Sequence, residues 1–388
     1  MMKKPLKILF DASPLLVNKT GVAYYIERLI TQMAAQYPQE IELVGFYYNF
    51  LGRRPTDHLP SAPNIRYRQV RFIPSKIVYQ LRRWGLELPL EVLSKETADF
   101  VLFGNFLGYP TLHKTPSAPV IHDLTFLDLP QYVSAKNQKD LTRFVPRQIA
   151  RSSFVITVSH FSQGRINTAY HISEEKILVT HIPPETPHIF KQPQIDSVLA
   201  AAGVTQPYIL FLSTIEPRKN LVSLIDAYAA LPAALRKKYQ LVIAGRIGWN
   251  CDAEIARLQQ AEAEGLNVIR LGYVDDTTRF TLFQAASLFV SSSSYEGFGM
   301  PLLEAMSYGT PCAASNITVY HEVAGDTIQY FDQTDVTDIS QTIQRLLEDP
   351  KALQQLAQRG KAHVSTFQWS AVAGDLYKRI CAAIPDRR

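Results

Sequence analysis

Short apolar runs alternate with amphipathic stretches along this chain, and that rhythm limits its folds more than any other feature. The runs LKILF (6–10), IELVGF (41–46), FVLF (100–103), APVIH (118–122), FVITVS (154–159) and KILVTHI (176–182) read as buried strands. Behind the first of them, Val22, Tyr25, Ile26, Leu29, Ile30 and Met33 form the stripe of a helix that covers a core. After Pro183, Pro184, Pro187 and Pro193 the rhythm resumes with YILFLS, QLVIAG, VIRLGYV, SLFVSS and PCAAS. Alternation of this kind means right-handed crossovers and parallel sheets covered on both faces. At 388 residues the chain is too long for one ordinary core. The expectation is α/β, with a doubly wound domain over 1–190, a linker over 191–206, a second doubly wound domain over 207–368, and a helix over about 369–388 packing back on the first. Ligands of such sheets sit beyond the carboxyl ends of the strands, so two facing halves predict a central cleft.

Charge and cysteine content exclude several classes. Forty basic against thirty-five acidic residues leave +5, too little for a general nucleic-acid binder. Cys251, Cys312 and Cys381 are widely spaced and fit no metal-ligand or disulfide pattern, which points to a reducing compartment. Lys7 and Asp11 interrupt the apolar run that a signal peptide would need. No run approaches the roughly 20 apolar residues of a membrane-spanning helix.

The densest chemistry lies in SSSSYEGFGMPLLEAMSYGTPCAAS, residues 291–315. A strand ends in small residues, Glu296, Gly297, Phe298 and Gly299 make a turn, and Pro301 suits the start of a helix. Glycines let the backbone approach a ligand, and the amides after Met300 with the positive end of the helix dipole favour an anion. Glu304 lies inside the same helix, so two carboxylates can accept hydrogen bonds from hydroxyls of one molecule. Upstream, Arg218 and Lys219 follow the strand YILFLS and precede Asn220, a good helix cap, which places two cations where a diphosphate fits. Two glutamates eight apart and a basic pair also occur by chance on solvated helix ends.

These residues are not isolated. EGFGMPLLEAMSYGTPCAAS resembles the signature of the retaining glycosyltransferases of family 4, a Glu, seven residues and a Glu in a strand, turn and helix. STIEPRKNL (213–221) resembles that family's phosphate-binding turn, TGVAYYIERL (20–29) its first glycine loop, HDLTFLDLP (122–130) its inter-domain histidine motif, and TVSHFSQGRI (157–166) a further shared segment. With GRIGW, LGYV and EVAG, the set is most similar to the bacterial mannosyltransferases that extend O-antigen and related polysaccharides.

The resemblance implies the GT-B fold, two Rossmann-like domains, and a hexosyl transfer with retention, the best guess being mannose from GDP-mannose to a glycan or lipid-linked acceptor. It implies Glu304 on ribose, Arg218 and Lys219 on the diphosphate, and Glu296 with Gly297, Phe298, Gly299 and Met300 on the sugar. His122 is implied near the reacting carbon and Gly21 near the donor phosphate or the acceptor, although Thr20 stands where relatives often carry another glycine. Gly245, Arg246, Tyr273 and Val274 take the places that hold the base, and leave guanine and uracil open. The chain has no Asp-x-Asp, no Gly-x-Gly-x-x-Gly after the first strand and no Gly-x-x-x-x-Gly-Lys loop. No metal or other cofactor is therefore expected, and Arg218, Lys219 and the helix after Gly299 would do a metal's work. A UDP-sugar transferase of the same family, an inactive sugar-nucleotide-binding subunit and a pyridoxal-dependent phosphorylase are the alternatives.

One stretch stands outside these motifs. Arg53, Arg54, Arg66, Arg68, Arg71, Lys76, Arg82 and Arg83 face a single acid, Asp57, over residues 53–83, a local +7. Phe72, Ile73, Ile77, Val78, Tyr79, Leu81 and Trp84 interleave with them. Basic charge with apolar anchors suits an anionic leaflet or a lipid diphosphate, with Arg82, Arg83 and Trp84 as contacts, or else is a solvated face over a buried side. The localisation expected is cytoplasmic, peripheral on the inner face of the plasma membrane, with no nucleic acid as partner.

Overall fold

A computed structural model describes residues 4–16, 21–52 and 55–384. Thr20, Arg53 and Arg54 lie outside the described residues. The chain divides into two compact units, the first made of 1–124, 139–182 and 368–388, the second of 125–138 and 183–367.

In the first unit β1 (Leu6–Asp11), β2 (Ile41–Tyr48), β3 (Ile65–Val70), β4 (Phe100–Phe103) and β5 (Ser117–Pro119) form a sheet in the order β3-β2-β1-β4-β5. Every pairing is parallel. β6 (Val155–Thr157) and β7 (Ile177–Val179) pair with each other and join the sheet through a bridge from Val120 to Ile156. The central strands are apolar without alternation because helices cover both faces; Leu6, Ile8, Leu9 and Phe10 are all buried. The helix Gly21–Gln36 buries Tyr25, Ile26, Leu29, Ile30 and Met33. Against it packs the helix Trp369–Ala383, with Tyr377 stacked on Tyr37 at 4.0 Å between centroids.

The second unit holds β8 (Tyr208–Leu212), β9 (Gln240–Ala244), β10 (Val268–Gly272), β11 (Leu288–Ser291), β12 (Cys312–Ser315) and β13 (Gln329–Phe331). Their order is β10-β9-β8-β11-β12-β13, again all parallel. One core joins Ile209, Phe211, Leu241, Ile243 and Val290 from the strands to Leu224, Ile225 and Tyr228 from the helix Leu221–Ala230. The buried Tyr228 hydroxyl donates to the Tyr239 carbonyl at 2.8 Å, so its burial leaves no polar group unmatched.

Two boundaries differ from the sequence reading. The stretch 191–206 is not an open linker: Gln192–Ala201 is a helix that buries Ile195 and packs on the helix Asp276–Ala285. Residues 125–138 belong to the second unit although 1–190 reads as one domain. Specific bonds explain it: Trp249 Nε1 donates to the Tyr132 carbonyl at 2.6 Å and the Tyr295 hydroxyl to Asp128 Oδ2 at 2.8 Å. Two strands also escaped the pattern, β3 and β13. Among the described residues no helix is long and apolar enough to cross a membrane.

Candidate active site

The strand order of the second unit reverses between β8 and β11. At such a switch point the loops leave in opposite directions and open a crevice at the carboxyl ends. The two motifs richest in charge, EPRKN and EGFG, follow these two strands. Beyond β8 a short turn, Pro217–Lys219, ends in Asn220 with left-handed backbone (φ 53°), a conformation asparagine tolerates. Its side chain does not cap the following helix; it donates to the Gln333 carbonyl and accepts from the Ser223 hydroxyl. The loops are tied together by Ser294 N to the Arg218 carbonyl at 2.8 Å and by the Ser292 hydroxyl to the Lys219 carbonyl at 2.9 Å.

Four charges meet there. Arg218 Nη1 donates to Glu296 Oε2 at 2.8 Å, Lys219 Nζ to Glu296 Oε1 at 2.5 Å, and Arg218 Nη2 reaches Glu216 Oε1 at 2.7 Å. The Ser293 hydroxyl donates to Glu296 Oε1 at 2.8 Å. Glu216, Lys219 and Glu296 are all buried, so two anions match two cations away from water. Burial opposes ionisation of Glu296, but Lys219 and Arg218 hold its carboxyl down to about 2. Burial and the adjacent Arg218 push the Lys219 ammonium down, against the pull of Glu296 and Glu216. The arrangement can bind an anion at Arg218 and Lys219 and hydroxyls at Glu296, because each partner is already desolvated and aimed.

Gly299 precedes the helix Met300–Ser307 with φ 96°, and a Cβ there would stand 2.5 Å from the Tyr320 ring. Only glycine makes this turn. Gly297 and Phe298 are buried and Met300 is half-buried. Pro301 sits in the first turn, and Glu304 is buried on the same helix, bound to Arg279. Burial raises the Glu304 carboxyl, and Arg279 opposes the rise.

At the ends of β9 and β10, Gly245 has φ 146° and its Cβ position lies 1.7 Å from the Ser213 carbonyl oxygen, which again admits no side chain. Gly245 N donates to the Gly272 carbonyl at 2.7 Å. The Arg246 guanidinium stands 5.3 Å from the centroid of the Tyr273 ring, which is 58% exposed; Val274 is half-buried beside it. This half-buried cation and exposed ring form a stacking platform suited to a planar base.

His122 and Gly21 belong to the first unit. His122 Nε2 lies 3.3 Å from the Gly104 carbonyl, with Tyr25 and Phe106 edge-on at 5.6 and 6.1 Å. Burial pushes the imidazole pKa down, so the ring stays neutral at pH 7. Gly21 is exposed at the start of its helix.

The basic stretch is less free than its charge count. Arg66 and Arg68 are on β3 and bind Glu96, with Arg66 also 2.5 Å from Glu42. Arg82 is buried: it donates to the Gly108 carbonyl and lies 3.2 Å from Glu87, so it is not the surface contact expected. Arg83 is half-buried, 3.8 Å from Asp140. Trp84 is 75% exposed, and Phe72, Ile77 and Leu86 are exposed as well.

Sequence reasoning missed Glu216, Ser293 and Arg279. The first lies inside the quoted EPRKN motif and the second three residues before Glu296, so both were within reach of a search for matched charge. Arg279 carries no local signal, because its partner lies 25 residues away.

Residues 199–363 match the family described as Glycosyl transferases group 1. The chain is 29% identical over 387 residues to the O-antigen chain mannosyltransferase B of Escherichia coli, across 94% of this chain and 96% of that one. Among solved structures it is similar to WaaG, a glycosyltransferase involved in lipopolysaccharide biosynthesis, with TM-score 0.70, 14% identity, and 97% and 99% of the two chains covered. It is also similar to Anabaena HepE in complex with UDP and glucose, with TM-score 0.69, 18% identity, and 97% and 100% covered.

Proposed function

We propose that the chain, whose residues 199–363 match the glycosyl transferases group 1 and whose fold is GT-B, is a retaining mannosyltransferase of family 4 using GDP-mannose. The observation that carries the proposal is the charge cluster at the β8/β11 switch point, where Arg218 and Lys219 share Glu296. A nucleoside diphosphate offers these cations a second set of oxygens, and a sugar hydroxyl then takes an oxygen of Glu296. As the bond from C1 to the diphosphate breaks, negative charge grows beside the guanidinium and ammonium, where preorganised donors lower the barrier. No side chain in the cluster is a free nucleophilic carboxylate, since Glu216 and Glu296 each face a cation. Retention then follows from same-face attack through an oxocarbenium-like ion pair, the diphosphate helping to take the acceptor proton. Because both acids are balanced, the cluster is a poor cation site, in keeping with chemistry that needs no metal. Gly245, Arg246, Tyr273 and Val274 are proposed at the base, and Gly297 to Met300 beside the sugar and phosphate.

The acceptor proposed is a glycan or lipid-linked oligosaccharide of cell-surface polysaccharide synthesis, in line with the name of the Escherichia coli relative. Exposed Phe72, Ile77, Trp84 and Leu86 with Arg71, Lys76 and Arg83 suit peripheral contact with an anionic bilayer. UDP with another hexose is the second reading, favoured by the likeness to a fold that holds UDP and glucose. A thermal-shift series with GDP, UDP and their sugars decides between them, and proton NMR of the product reads the anomeric configuration. GDP stabilisation and an α-linked product support the proposal; UDP stabilisation alone or an inverted product overturns it.

A further inference from the structure

Arg279 on the helix Asp276–Ala285 is buried, although nothing in the motifs calls for a cation there. Its Nη1 donates to Glu304 Oε1, and its Nη2 lies 3.2 Å from Asp276 Oδ1 and 3.4 Å from Glu185 Oε2. The guanidinium also covers the Phe280 ring, 4.5 Å from its centroid. One cation thus faces three carboxylates from three segments, and of these Glu304 is the most buried. Tyr308, whose hydroxyl accepts from His188 N at 3.1 Å, is a further titratable group against the cluster.

We propose that Arg279 is a positioning residue for donor recognition: it fixes Glu304 through Oε1 and sets a cation beside it, so that Oε2 accepts from a ribose hydroxyl. The inference rests on the reading of Glu304 as the ribose ligand. A bidentate-capable fork anchored on Asp276 and Glu185 cannot swing away when the ligand arrives, which is what a planar guanidinium supplies and an ammonium does not. A bond from a hydroxyl to an ionised carboxylate is stronger than one to a neutral carboxyl. Burial and Asp276 raise the Glu304 carboxyl, and Arg279 is the cation that opposes the rise.

The test uses the full chain and measures binding of GDP and UDP beside their 2′,3′-dideoxy forms, from pH 8 to pH 6. The parent should prefer the ribose form by about tenfold or more at pH 8, and Glu304→Gln should abolish the preference. In Arg279→Leu the preference should be weaker than in the parent and fade at a higher pH than it does there, while binding of the dideoxy form stays level. Arg279→Lys, the milder change, should restore the parent's pH profile with a preference reduced several-fold. A parent that binds neither nucleotide, or binds ribose and dideoxy forms equally, overturns the ribose reading and this inference with it. A preference that depends on Glu304 but is untouched in Arg279→Leu at every pH overturns the inference alone. If the leucine variant does not fold, equal weakening of ribose and dideoxy binding in Arg279→Lys overturns it as well.

Discussion

Two regions of this molecule announce themselves by charge, and they resolve differently. In the second unit EPRKN and EGFG bring two cations and two acids together, nearly all buried and pointed at one another. In the first unit the stretch 53–83 is far more basic, yet its described arginines split between internal ties and surface. Arg66, Arg68 and Arg82 hold Glu42, Glu96, Glu87 and the Gly108 carbonyl, whereas Arg71 and Lys76 are exposed. Density of charge along a sequence therefore says little about function; desolvation and the identity of the partner decide it.

The comparison breaks most directly at Glu296. Glu296→Ala should reduce transfer by about a thousandfold or more, and it should also destabilise by about 2–4 kcal/mol, because the buried Lys219 would lose its hydrogen-bonded carboxylate while Arg218 keeps Glu216. Chemical denaturation beside a turnover assay separates the two losses; a variant with full activity ends the assignment. Lys219→Ala should cost comparable activity, measured in the same way.

Next in size is Arg82→Ala. Removing one of the two arginines that hold the Gly108 carbonyl and Glu87, the other being Arg151, should cost about 1–3 kcal/mol, with kcat falling only as far as the folded fraction falls. If instead vesicle binding is lost and the melting temperature stays put, Arg82 is a surface contact after all.

Acid sharpens the contrast. The Glu296 carboxyl lies near 2 in the fold against 4.5 when unconstrained. Its contribution is present in full above about pH 4.5 and is lost as pH falls toward 2, an amount of roughly 3 kcal/mol at most. Glu296→Gln should remove that part of the acid sensitivity, and an unchanged denaturation profile between pH 5 and 3 would contradict the cluster's charge state.

The smallest effect on stability is expected at the exposed apolar positions. Ile77→Ser with Trp84→Ser should shift stability by no more than about 0.5 kcal/mol each, while flotation with anionic vesicles drops. Vesicle binding equal to the parent would assign Ile77 and Trp84 to an ordinary surface.

The fold class was readable because the central strands, such as LKILF and YILFLS, are buried on both faces and carry a continuous apolar run. β3 was hidden because IRYRQV alternates, and its outward arginines find Glu42 and Glu96 far away in sequence. The residues of the candidate site were legible where a glycine or a proline forces the backbone, as at Gly299 and Pro301. Arg279 and the allegiance of 125–138 were not, since both depend on partners that only the folded chain brings near.

The four crossings of the chain between units have a practical meaning for recombination. A donor module cut as residues 183–367 would be contiguous in the gene yet incomplete in the protein. Tyr295, next to Glu296, would lose Asp128, and the indole of Trp249 would lose the Tyr132 carbonyl. Chimaeras that exchange the second unit, the proposed donor side, with a relative should therefore carry 125–138 from the same parent as 183–367, or restore those two contacts by matched substitution.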